Sequence, residues 1–133
     1  MIANKIKNIH DNEIVEIRIK AREEKIELIL SEVDSSIQEF LEFQDVIEAH
    51  LEGVYIQNVI LDILEEQIEN FLIKSPDEFI NRKRGLMDLE IMFDDYEDYN
   101  KFLVENHYKV FSIIASVGLN GWIICKNINR SKR

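Results

Sequence analysis

Between Val15 and Ser31 side chains of opposite character follow one another with a period of two. Val15, Ile17 and Ile19 are separated by Glu16 and Arg18; Ile26, Leu28 and Leu30 are separated by Glu27 and Ile29. A helix scatters such a pattern around its axis, whereas a strand sorts it onto two faces. The connector Ala21-Arg22-Glu23-Glu24 is polar and free of glycine, as a four-residue hairpin loop allows. The register that follows sets Ile19 beside Ile26, Ile17 beside Leu28 and Val15 beside Leu30, with all three pairs on one face. A third strand is expected from Phe40 to Val46, with Leu41 and Phe43 inward, after a turn at Asp34-Ser35-Ser36.

The middle of the chain reads two ways. Ile56, Val59, Ile60, Ile63, Leu64, Ile68, Phe71 and Leu72 recur at helical spacing, opposite Asp62, Glu65, Glu66 and Glu69. This periodicity favours a helix. The β-branched run from Asn58 to Leu64 supports the alternative, a strand followed by a helix. Ser75-Pro76-Asp77-Glu78 then supplies a capping hydroxyl, a proline at the first helical position and a glutamate three residues past the cap. A helix from Pro76 to Arg84, stopped by Gly85, follows. A strand is expected from Leu86 to Phe93 and a helix from Tyr96 to Asn106. Asn120-Gly121 is the preferred pair for a tight hairpin turn; it sets Leu119 beside Trp122, Val117 beside Ile124, Ala115 beside Lys126 and Ile113 beside Ile128. The expected fold is α+β: an antiparallel sheet with N-terminal and C-terminal hairpins, packed with two or three helices.

The 133 residues suit a single domain, 1–133, with a frayed basic tail from about residue 129. No stretch has the roughly 18 apolar residues of a membrane helix. The N-terminus lacks the apolar core of a signal peptide, and Cys125 is the one cysteine. A cytoplasmic protein is expected. The 26 acidic and 16 basic residues give a net charge of -10, which repels phosphates and so argues against nucleic-acid or membrane partners.

Candidate chemistry is sparse. His10-Asp11 is shared with metal phosphohydrolases, but the further histidines and aspartates those sites need are missing. Glu48 with His50, and Glu105 with His107, repeat a spacing that on a strand places both groups on one face. Cys125 sits in an expected strand, with nothing nearby in sequence to lower its pKa. The basic run Arg82-Lys83-Arg84 suits a helix C-terminus. Asp94-Asp95-Tyr96-Glu97-Asp98 matches a magnesium-diphosphate pattern, yet acids there also suit the first turn of a helix. No catalytic residue, cofactor or metal is expected. The candidate partner-binding residues are Asp94, Asp95, Tyr96, Glu97, Asp98 and Tyr99, acids for steering and tyrosines for contact area.

The ends of the chain resemble small bacterial immunity proteins of polymorphic toxin systems and related α+β domains. The similar features are Ile9-His10-Asp11 leading into a strand, Leu41-Glu42-Phe43-Gln44-Asp45-Val46, and Phe111 through Gly118-Leu119-Asn120-Gly121-Trp122-Ile123-Ile124 to Lys126. The resemblance implies a non-enzymatic cytoplasmic domain, in some members paired with a toxin, and it supports the strand reading of Asn58 to Leu64. The function expected is thus a protein-binding module of immunity or antitoxin type that binds a basic toxin domain. The alternative is a small structural or self-associating domain, a homodimer; a metal-dependent enzyme ranks below both.

Overall fold

The alternating segment at the start of the chain forms its hairpin. The computed structural model describes residues 4–32, 35–83, 93 and 95–132. Strand β1 covers Asn4–Lys5, β2 Glu13–Lys20, β3 Lys25–Ser31, β4 Gln38–Gln44 and β5 Glu48–Glu52. Then come β6 (Val59–Gln67), helices α1 (Pro76–Lys83) and α2 (Tyr96–Glu105), and strands β7 (Lys109–Val117), β8 (Asn120–Cys125) and β9 (Asn127–Lys132). The architecture is α+β, dominated by the sheet, with two helices among the described residues. These residues group into two compact units, one within 1–66 and 109–133, the other within 67–108.

In the first unit β2 and β3 pair with Ile19 opposite Ile26 and Ile17 opposite Leu28, in the expected register. The third expected pair slips. A bulge between Ile14 and Glu16 sets Ile14, not Val15, against Leu30. A bulge of this kind re-aims one side chain, and Val15 is turned out to solvent while Ile14 enters the core. The connector is a short 3-10 turn over Ala21–Glu23, ended by Glu24 at φ +56. Leu41 and Phe43 of β4 are fully buried, as their alternation requires. That strand stops at Gln44, before the expected Val46, because Asp45 takes a left-handed φ of +56.

The sheet order is β5-β8-β7-β6-β2-β3-β4-β9, with β1 beside β6. β4 continues through the Asp45 corner into β5, and β8 continues through Lys126 into β9. The two bent segments pair antiparallel along their length, from Glu39 opposite Lys132 to Glu52 opposite Asn120. Backbone bonds from Lys126 to Gln44 (3.1 Å) and from Ile47 to Ile124 (3.0 Å) carry the ladder around the corner. Traced through these pairings, the sheet returns on itself as a small barrel. Its interior takes Leu28, Leu41, Phe43, Ile60, Ile63, Phe111, Ile123 and Cys125 from five of the strands. Phe43 and Phe111 meet edge to face across it, centroids 5.5 Å apart.

Three expectations are corrected here. The favoured helix from Ile56 to Leu72 is absent: Ile56 lies in a loop, Val59–Gln67 is a strand, and Ile68–Asn70 is a single 3-10 turn. β6 lies between β7 on one side and β1 with β2 on the other, and buries Ile60 and Ile63. Sheet pairing on both sides overrides a helical spacing that β-branched residues support poorly. The C-terminal hairpin exists, but its reversal falls earlier than Asn120-Gly121. Ser112 faces Trp122 and Ile113 faces Gly121, so the four expected pairs are all displaced. The chain turns through Gly118 at φ +88, and Asn120 secures the turn, accepting from Ala115 N (3.0 Å) and donating to the Gly118 carbonyl (3.1 Å). The third correction is the tail: residues 127–132 are an edge strand, not a frayed end. Ile128 packs on the core opposite Phe43, and Arg130 pairs with Glu39, whose side chain is almost wholly buried.

Arg130→Met is therefore expected to strand the Glu39 carboxylate in a site with little water. Because Arg130 itself is 34% exposed, the cost is taken as about 1–3 kcal/mol, below that of a fully buried pair. Urea unfolding measures it; an unmoved midpoint would show that Glu39 is solvated without its partner.

In the second unit both helices start as their sequences dictate. The Ser75 hydroxyl accepts from Glu78 N (3.2 Å), and the Glu78 carboxylate accepts from Lys74 N (3.1 Å). Asp95 caps α2 by accepting from Asp98 N (2.9 Å). Asn100 holds the backbone of Ile73 with two hydrogen bonds, 3.0 and 2.7 Å. Ile68, Ile73, Phe79, Tyr99 and Leu103 are buried. Arg84, the expected stop at Gly85, the expected strand from Leu86 up to Phe93, Asp34 of the expected turn and Asp94 lie outside the described residues.

Candidate functional site

Most sequence candidates have structural employment. His10 lies beside the Leu61 carbonyl (Nδ1, 2.8 Å) and the Asp11 carboxylate (Nε2, 3.4 Å), both histidine and aspartate exposed. His50 stacks on Trp122 with centroids 5.9 Å apart and meets Glu52 at 3.3 Å, whereas Glu48 is buried. Glu105 reaches Lys101 at 3.9 Å, and His107 occupies a left-handed residue after α2. Among the described residues no three His, Cys, Asp or Glu side chains gather as metal ligands would. Arg82 lies over the rings of Phe71 (5.7 Å) and Tyr99 (6.0 Å), so it is packed and not presented to a phosphate.

The acidic segment divides. Asp95, Glu97 and Asp98 serve the cap and first turn of α2, where the helix dipole favours negative charge. Tyr96 is half-buried. Tyr99 is corrected: it is wholly buried against Phe79 and Phe93 and offers a partner no contact area. The helix places it three residues after Tyr96, on the inward stripe with Leu103.

Cys125 is buried in the barrel, and burial pushes its thiol up to about 12. The thiolate, the reactive form, is therefore scarce at any ordinary pH. Native protein at pH 8 should leave an aromatic disulfide reagent unreacted for hours, and unfolded protein should consume one equivalent at once. Rapid labelling of the native form would place the sulfur at the surface.

Sequence reasoning missed the residues that do stand out. Val54, Tyr55 and Ile56, between β5 and β6, are 57%, 69% and 104% exposed. Three successive large apolar residues in solvent are costly unless something covers them. They are also held in place. The Asn58 side chain accepts from Tyr55 N (3.1 Å) and Leu119 N (3.0 Å) and donates to the Tyr55 carbonyl (2.7 Å). Gly118 makes room for it, since a β-carbon there would stand 2.3 Å from Asn58 Oδ1. Facing this loop is β2, and the two enclose an open groove of about 490 Å³. Ile14, Val15 and Ile17 line one wall and Val54 to Ile56 the other; Glu13 and Glu16 are the charged lining residues. Glu16 is engaged by Arg18 at 2.7 Å, and that bond lowers its carboxyl pKa.

Compared with protein-family models and with curated proteins, the chain matches none.

Proposed function

We propose that this chain is a protein-binding module whose contact surface is the clamped loop Val54-Tyr55-Ile56 and the groove beside it. The observation that carries the reading is the pairing of exposure with rigidity. A loose apolar loop would lose entropy on docking; one whose Tyr55 is already fixed by two hydrogen bonds to Asn58, itself anchored by Leu119 N, loses little. Tyrosine and isoleucine at its tip supply the desolvated area that dominates interface energies. The net charge of -10 favours a basic partner and raises the rate of encounter. The resemblance to immunity proteins points the same way, toward a basic toxin domain.

The test is co-expression with the protein encoded beside this one, followed by binding kinetics at rising salt. A stable complex is expected, released by Tyr55→Asp, with association slowing as salt shortens the Debye length below about 10 Å. Asp95→Asn with Asp98→Asn should slow association and leave dissociation alone, because asparagine still caps α2. A complex indifferent to Tyr55→Asp would move the surface off the loop.

A further inference from the structure

The groove is bounded by an unfinished sheet edge. β2 pairs with β3 from Glu13 to Lys20, but its other edge meets β6 only at Glu13, opposite Val59. Beyond that point, among the described residues, no strand adds to it. Loop 54–56 stands across the gap without forming a ladder, and the groove occupies the space between. A free edge offers backbone donors and acceptors in a row, which an incoming extended segment can complete.

We propose, resting on the protein-binding reading above, that this edge receives an extended segment of a basic partner protein as an added strand. Its apolar side chains would lie against Val15, Ile17 and Tyr55, and a lysine or arginine would reach Glu13. Three features support that chemistry. The bulge at Val15 turns an apolar side chain into the groove, where alternate residues of an added strand project. Ile17, partly buried against the core, also lines the groove, and Ile19 beyond it is 68% exposed. The charged groups lining the groove are both carboxylates, and with Glu16 engaged by Arg18, Glu13 is left to answer a cation. A second copy of this chain fits worse: it would bring another charge of -10 and a second Glu13 to the same place.

The probe is a short labelled peptide alternating lysine and valine. One control replaces lysine with glutamate; another carries N-methyl groups that remove its backbone donors. Fluorescence anisotropy reads affinity, and amide hydrogen exchange on the intact chain reads location. The lysine–valine peptide is expected to bind and to slow exchange of the β2 amides that do not donate to β3. Both controls, and the exposed double substitution Tyr55→Ser with Ile56→Ser, should weaken binding at least tenfold. Equal affinity for the N-methylated peptide, or binding without protection of β2, would overturn strand addition yet leave the loop as a docking surface. Concentration-dependent dimerisation that protects the same amides would assign the edge to a second copy, against the proposal. Absence of binding up to about 1 mM peptide would also overturn it, while the co-expression result would still judge the broader reading by itself.

Discussion

Gly121→Val is expected to lower stability by roughly 3 kcal/mol or more, a fall of about 10 °C or more in melting temperature. The cause is backbone proximity, not turn geometry. Any β-carbon at position 121 would stand 2.0 Å from the His50 carbonyl oxygen, 2.9 Å from its carbon and 3.0 Å from Leu51 Cα. All three atoms belong to β5, whose Leu51 is the register partner of Gly121. They cannot retreat without parting β5 from β8. Alanine should therefore do most of the damage that valine does, since the clash begins at the first carbon. A turn position would behave otherwise, with alanine costing only about 1 kcal/mol of left-handed strain. Melts of the two variants decide the matter; an alanine variant as stable as the parent would place β5 farther away than the structure has it.

Asn58→Ala should cost about 2–4 kcal/mol. Its side chain makes three hydrogen bonds from a site only 5% exposed, and its removal leaves the amide of fully buried Leu119 without an acceptor. The same change frees Tyr55 at both its backbone groups, so partner binding should fall together with stability. Hydrogen exchange separates the effects. The Leu119 amide should exchange far faster in the variant even under conditions where the fold persists. An unchanged rate there would mean that another acceptor takes over.

Legibility in the sequence followed the range of the interaction. Ile17, Ile19, Ile26 and Leu28 declared their pairing because a hairpin needs only neighbours. The bulge at Val15 was hidden, since nothing local distinguishes Ile14 from Val15 as the core residue. Ser75 and Glu78 marked the start of α1 through bonds that span three and four residues, and the acids from Asp95 to Asp98 marked the first turn of α2. β6 deceived because Ile60 and Ile63, which both enter the barrel core, also stand one helical turn apart. Asn120-Gly121 reads as a turn by composition, but each residue has a different distant duty: Asn120 ties the reversal before it, and Gly121 yields space to β5. The contact loop was concealed by the same false helix, which absorbed Ile56 into its stripe. That Tyr55 and Ile56 are exposed could follow only from knowing that β5 and β6 flank them. The acidic segment from Asp95 to Asp98 was the more conspicuous string, and its acids prove to serve the first turn of α2.

The bent ribbon that closes the barrel sets a schedule for the growing chain. Glu48 finds its strand partner in Ile124, 76 positions later (124 − 48). At roughly 5–20 residues per second, synthesis of that interval takes about 4–15 s. Through those seconds the nascent stretch Gln38–Gln44 has β3 to lean on along one side only, and Glu48–Glu52 still waits for β8. The other side of Gln38–Gln44 presents bare backbone, flanked by the side chains of Leu41 and Phe43, to whatever else is in the cell. A chain stalled on the ribosome before Asn120 should therefore stay sensitive to protease and retain bound chaperone, and one released after Lys132 should shed both together.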